Sequence, residues 1–99
     1  MATYLLFSRL TDEGRKTLKE RPARLQAVNK EVESMGGRVK AQYAVLGQFD
    51  FVTVVEAPSN EVVARISVEL GSRGTLDITT YPAMTIDAYT EMLAGGKPA

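Results

Sequence analysis

Two short apolar runs set the architecture open to this chain. Tyr4-Leu5-Leu6-Phe7 and Val52-Thr53-Val54-Val55 are continuous rather than alternating, which is the pattern of strands buried on both faces. Arg38 to Leu46 behaves differently: Val39, Ala41, Tyr43 and Val45 alternate with Arg38, Lys40 and Gln42, as in a half-exposed edge strand. Thr75 to Tyr81 is a fourth and more polar strand, with Pro82 expected to close it. Strands one and three are therefore predicted at the centre of a sheet, and two and four at its edges.

The segments between the strands carry helical signals. Thr11 with Asp12 and Glu13 starts a helical turn, because a hydroxyl cap and negative charge both suit a helix N-terminus. Pro22 interrupts that segment and fits the first turn of the next helix, where Leu25, Val28, Val32 and Met35 form one apolar stripe that ends at Gly36-Gly37. Gly47-Gln48-Phe49-Asp50 supplies a hairpin turn. Pro58-Ser59-Asn60-Glu61 starts a helix with Val62, Val63, Ile66 and Leu70 on one face and Gly71 as its stop. Ile86, Tyr89 and Leu93 suggest a short terminal helix or docked arm before the Gly95-Gly96-Lys97-Pro98-Ala99 tail. The order is βαββαβ, an α+β ferredoxin-like sandwich with a four-stranded antiparallel sheet and both helices on one face. Residues 1–94 are expected to form a single domain, since 99 residues fill one core, and residues 95–99 a flexible tail.

The other sheet face is the informative one. Phe7 or Leu6, Tyr43, Thr53, and Thr79 or Tyr81 are expected there, too apolar together to remain in water, so a second copy of the chain is expected to cover them. Composition narrows the chemistry. The chain has no His, Cys or Trp, which excludes Ser-His-Asp and Cys-His nucleophiles, His- or Cys-ligated zinc, thiolate-bound iron–sulfur clusters and His-ligated haem. No cofactor or metal is expected. Without disulfides or a cationic leader, and with no apolar run long enough to span a bilayer, a cytoplasmic location away from membranes is expected.

Twelve Lys and Arg balance twelve Asp and Glu, which argues against nucleic-acid binding. The balance is uneven along the chain: Arg9 to Lys40 carries nine basic against five acidic residues, and Ala41 to Ala99 three against seven. With no aromatic interleaved among Arg15, Lys16, Lys19, Arg21 and Arg24, a solvated helix face or charge pairing between subunits explains this better than RNA.

Three places are candidate ligand-binding positions, each with a plainer structural role beside it. Asp50, at the end of the hairpin turn, is either a turn cap accepting backbone N–H groups or a partly buried acid or base. Arg73, between Gly71 and Gly74, either holds an anion or pairs with a carbonyl or carboxylate; the negative pole of a helix C-terminus favours the latter. Tyr43, Tyr81, Thr53 and Thr79 form either a subunit interface or the wall of a small-molecule cleft between sheets.

The runs Leu10-Thr11-Asp12-Glu13-Gly14-Arg15, Gly47-Gln48-Phe49-Asp50-Phe51-Val52 and Ser67-Val68-Glu69-Leu70-Gly71-Ser72-Arg73-Gly74-Thr75 together resemble the GYD domain family. The family is named for a Gly-Tyr-Asp element; here Phe49 stands where the tyrosine would be. A role played through the phenolic hydroxyl would be lost, and an aromatic anchor for the turn would be kept. The resemblance runs from Thr3 to Ala88 and implies a ferredoxin-like fold related to the dimeric α/β barrels, in which two sheets pack face to face. It implies assembly rather than any particular reaction. The chain accordingly reads as a homo-oligomeric binding or interaction module, with a small-molecule ligand between sheets as an option. The alternative is a cofactor-independent dimeric α/β-barrel enzyme of isomerase or oxygenase type.

Overall fold

The computed structural model describes residues 1–95. Four strands, β1 (Ala2–Leu10), β2 (Arg38–Ala44), β3 (Phe51–Ala57) and β4 (Leu76–Ala83), form one antiparallel sheet in the order β2-β3-β1-β4. Four helices accompany them: α1 (Asp12–Glu20), α2 (Arg24–Ser34), α3 (Asn60–Gly71) and α4 (Ile86–Gly95). The two continuous apolar runs occupy the two central strands. Gly95, expected to open the flexible tail, is instead the last residue of α4, and the rest of that expected tail, residues 96–99, lies outside the described residues.

The core lies between the sheet and α2 and α3. Tyr4 and Leu6 of β1, Val55 and Ala57 of β3, Val32 of α2, and Val63, Ile66 and Leu70 of α3 are all buried. α3 begins as its sequence signals: the Ser59 side chain accepts the Val62 N–H at 3.3 Å. α2 has no such cap. Pro22 and Ala23 instead form a turn between α1 and α2, with the Pro22 carbonyl accepting the Leu25 N–H. Gly36 ends α2 with φ +100°, and a Cβ at Gly37 would come within 2.9 Å of both Ile66 Cδ1 and Val32 Cγ1.

Three local expectations are corrected. Gly71 is the last residue of α3, and the left-handed position falls three residues later at Gly74, with φ +78°. Pro82 does not close β4. It pairs with Tyr4 inside the strand, which an edge strand tolerates because one of its sides needs no amide donor. In β2 the alternation is broken by an irregularity between Val39 and Ala41. Val39 lies opposite Val55 on the helix side, whereas Ala41 and Tyr43 lie opposite Val54 and Val52 on the open side, because the extra residue inverts the facing.

α1 is held against the sheet end by its first turn. The Thr11 hydroxyl accepts the Gly14 N–H and donates to the Gly74 carbonyl, and the Thr11 N–H donates to the Thr75 carbonyl. Gly14 is buried against Thr75 so closely that a Cβ would overlap the Thr75 carbonyl oxygen. In an exposed helix Gly→Ala stabilises by about 1 kcal/mol. Here Gly14→Ala is expected to do the opposite, lowering stability by about 1–3 kcal/mol through overpacking, as read by urea denaturation. A stabilised variant would show that α1 can move off the sheet freely.

Candidate functional site

The open face is an array two rows deep. Tyr43, Val52, Phe7 and Thr79 lie side by side across the four strands, and Ala41, Val54, Leu5 and Tyr81 form the next row. Phe7 anchors it. Its ring lies 5.1 Å from Phe49 and 5.6 Å from Tyr81, the latter edge-to-face, and both contacts fall within the preferred range for aromatic pairs. Tyr43 is 62% exposed and Tyr81 50% exposed, at opposite edges of the sheet. Three of the four patch residues, Tyr43, Thr79 and Tyr81, are therefore on this face.

Thr53 is not. Phe51 is buried on the helix side, and the two-residue period of a strand puts Thr53 there as well, buried beneath α2. Its hydroxyl accepts from Gln42 Nε2 at 3.2 Å, and Gln42 Oε1 accepts from Asn29 Nδ2 of α2 at 2.8 Å. The run Val52-Thr53-Val54-Val55 carries no alternation, so its sequence does not reveal which residues face inward. Asn29 and Gln42 escape a sequence reading for a related reason: each looks like an ordinary surface amide until α2 and β2 are brought together.

Asp50 and Arg73 both have partners, and they are apart from the patch. Asp50 Oδ2 accepts the Leu10 N–H at 2.8 Å, and its own N–H donates to the Ser8 carbonyl at 2.9 Å. Its carboxylate thus serves β1, a strand distant in sequence, rather than its own turn. Arg9 reinforces the same junction by donating twice to the Gln48 carbonyl, with its guanidinium 5.9 Å from the Phe49 ring centre. Arg73 pairs with Glu31 of α2, which also receives Arg24 at 3.3 Å. The hydrogen bond from Arg73 holds the Glu31 carboxyl below its ordinary range, against the opposing effect of desolvation.

Enclosed space lies on the opposite side of the sheet from the patch. A cavity of about 60 Å³ between α1, α2 and the sheet end is lined by apolar side chains including Leu10, Leu18, Leu25 and Leu76, with Arg24 and Arg73 among its walls. A second space, of about 50 Å³, lies beneath α2, sharing Leu25, Val28, Phe51, Leu70 and Leu76 with the first and reaching Asn29, Gln42 and Thr53.

The role of Asp50 can be measured. Asp50→Ala is expected to destabilise the fold by about 0.5–2 kcal/mol, the range for losing a side-chain acceptor of backbone N–H, while Asp50→Asn, whose amide oxygen can accept the same bond, retains most of the stability. Thermal melts of the two variants against the parent test this. A raised midpoint for Asp50→Asn would mark the carboxylate as a strained, desolvated charge.

Comparison with known proteins agrees with this architecture. FFRP-DM1, a solved structure, superposes with a TM-score of 0.59 at 19% identity, covering 85% of this chain and all of that one. TTHA0845 from Thermus thermophilus superposes with a TM-score of 0.56 at 21% identity, covering 86% and 95%. These support the ferredoxin-like fold. In sequence the chain is 47% identical over 87 residues to the glutamine synthetase and cystathionine beta-lyase binding protein of Thermus thermophilus, covering 87% of this chain and 92% of that protein. The GYD domain matches residues 4–93, which include β1 from Tyr4 onward, the whole of β2, β3 and β4, and helices α1, α2 and α3. This chain belongs to the GYD domain family.

Proposed function

We propose that this protein is a binding module that self-associates through its open sheet face and docks on a metabolic enzyme, with glutamine synthetase and cystathionine beta-lyase as the first partners to test. One observation carries the reading: two apolar surfaces lack cover among the described residues. The first is the array around Phe7. The second is α4, which buries none of its residues and exposes Ile86 at 73% and Leu93 at 64%. Contiguous apolar surface of this kind marks interaction sites in soluble proteins.

Shape agrees with the second surface. The radius of gyration is 15.0 Å, above the about 13 Å of a compact domain of this length, in keeping with a terminal helix that stands off the body. α4 carries Ile86, Tyr89 and Leu93 at three- and four-residue spacing, the stripe by which an amphipathic helix enters a groove. The named binding role of the 47%-identical relative supplies the class of partner. The candidate acid–base group favours binding over catalysis: the Asp50 carboxylate is committed to the Leu10 amide. Among the described residues no helix is long and apolar enough to cross a membrane.

The test is a titration of the immobilised chain with each enzyme from the same organism. Saturable binding to at least one is expected, and Leu93→Asp should weaken it by about tenfold or more, as truncating a buried apolar anchor does. The exposed position of Leu93 means that the variant should melt with the parent. Absence of binding to both enzymes would overturn the proposed partners, and undiminished binding by Leu93→Asp would remove α4 from the interface.

A further inference from the structure

The cavity at the sheet end has features that the binding-module reading does not use. Its walls are apolar, but two arginines from different elements, Arg24 at the start of α2 and Arg73 in the α3–β4 loop, stand among them. Both side chains are partly exposed, so the arginines form its mouth rather than its floor. An apolar hollow with a few convergent polar groups is the usual form of a small-ligand site.

Size and charge together select the ligand. The hollow of about 60 Å³ is small, and the adjoining space of about 50 Å³ shares five apolar side chains with it. A flexible aliphatic chain could reach through both hollows, whereas a rigid aromatic ring would have to fit within one of them. At the mouth, each guanidinium has five N–H donors, and Glu31 engages only part of the ten. Glu69 adds to the negative field at Arg73 and so opposes an incoming anion, which the free donors have to offset. A carboxylate arriving there would find unused donors in a geometry that favours paired hydrogen bonds, and it would compete with Glu31 for them.

We propose that this cavity is a binding site for a short aliphatic monocarboxylate, its chain between Leu18, Leu25 and Leu76 and its carboxylate on Arg24 and Arg73. The site lies across the sheet from the self-association face and in elements separate from α4. It therefore stands independently of the enzyme-docking reading. Competition with Glu31 gives it a distinctive consequence: removing the resident carboxylate should strengthen binding of the incoming one.

The experiment titrates the isotope-labelled full chain with hexanoate, using hexanol as the neutral control, and follows the amide resonances of Gly14, Thr75 and Arg73. Saturable shifts with hexanoate, and much weaker ones with hexanol, are expected. Arg73→Gln should raise the dissociation constant about tenfold, in line with the loss of a charge-assisted pair, and Glu31→Gln should lower it several-fold. Val28→Phe should abolish binding by filling the shared wall; should it also disturb the fold, the two polar variants, placed at partly exposed positions, still decide the matter. Shifts that fail to saturate would overturn the site, as would hexanol binding as well as hexanoate. So would an Arg73→Gln variant that melts like the parent and binds hexanoate as tightly.

Discussion

The first strand is the element on which the rest depends. β1 lies between β3 and β4, hydrogen-bonded on both sides, and its residues are apolar on both faces. The helices can satisfy only one of those faces. Tyr4 and Leu6 point into the core beneath α2 and α3, while Leu5 and Phe7 point away from it into the uncovered array. A sheet with one face packed and the other wet normally alternates apolar and polar residues. β1 does not, and that mismatch is what the proposed second copy on the open face would resolve.

The far end of the same strand organises the family's marks. The three runs that carry the GYD resemblance are separated by tens of residues, yet they meet where β1 passes into α1. Arg9 and Leu10 bind the Gln48 carbonyl and the Asp50 carboxylate of the hairpin turn, while Thr11 and Gly14 hold Gly74 and Thr75. Phe49 fits this scheme without a hydroxyl, because its ring packs on Phe7 beside the Arg9 guanidinium. A junction of this kind accounts for glycine at position 14, a polar cap at 11 and an acceptor at 50 by packing and hydrogen bonding alone.

Much of the fold was legible because the signals were local. Apolar continuity gave the central strands, the Thr11 and Ser59 caps gave two helix starts, and the stripe Val63, Ile66, Leu70 gave the inward face of α3. What escaped depended on register. The irregularity near Lys40 turns Val39 inward and Tyr43 outward, and no residue type at that position announces it. Thr53 escaped because a run of β-branched residues has no parity of its own. The enclosed space was invisible for a different reason: it is bounded by α1, α2, α3, the loop before β4 and three strands, and such a hollow exists only after they pack. The pairing of Arg73 with a carboxylate was foreseeable from the helix dipole, although its partner, Glu31, was not.

The proposed functions divide between the two sides of the sheet. On this proposal the open face and α4 are the surfaces for proteins, and the helix side holds the candidate small-ligand space. The central claim is that the array around Phe7 is buried by a second copy. Sedimentation velocity at micromolar concentration tests it most directly: the account predicts a species of at least twice the 10.8 kDa chain mass, shifted toward the single-chain mass when Phe7 or Tyr81 is replaced by lysine. A parent chain that sediments as a stable monomer at that concentration would contradict it.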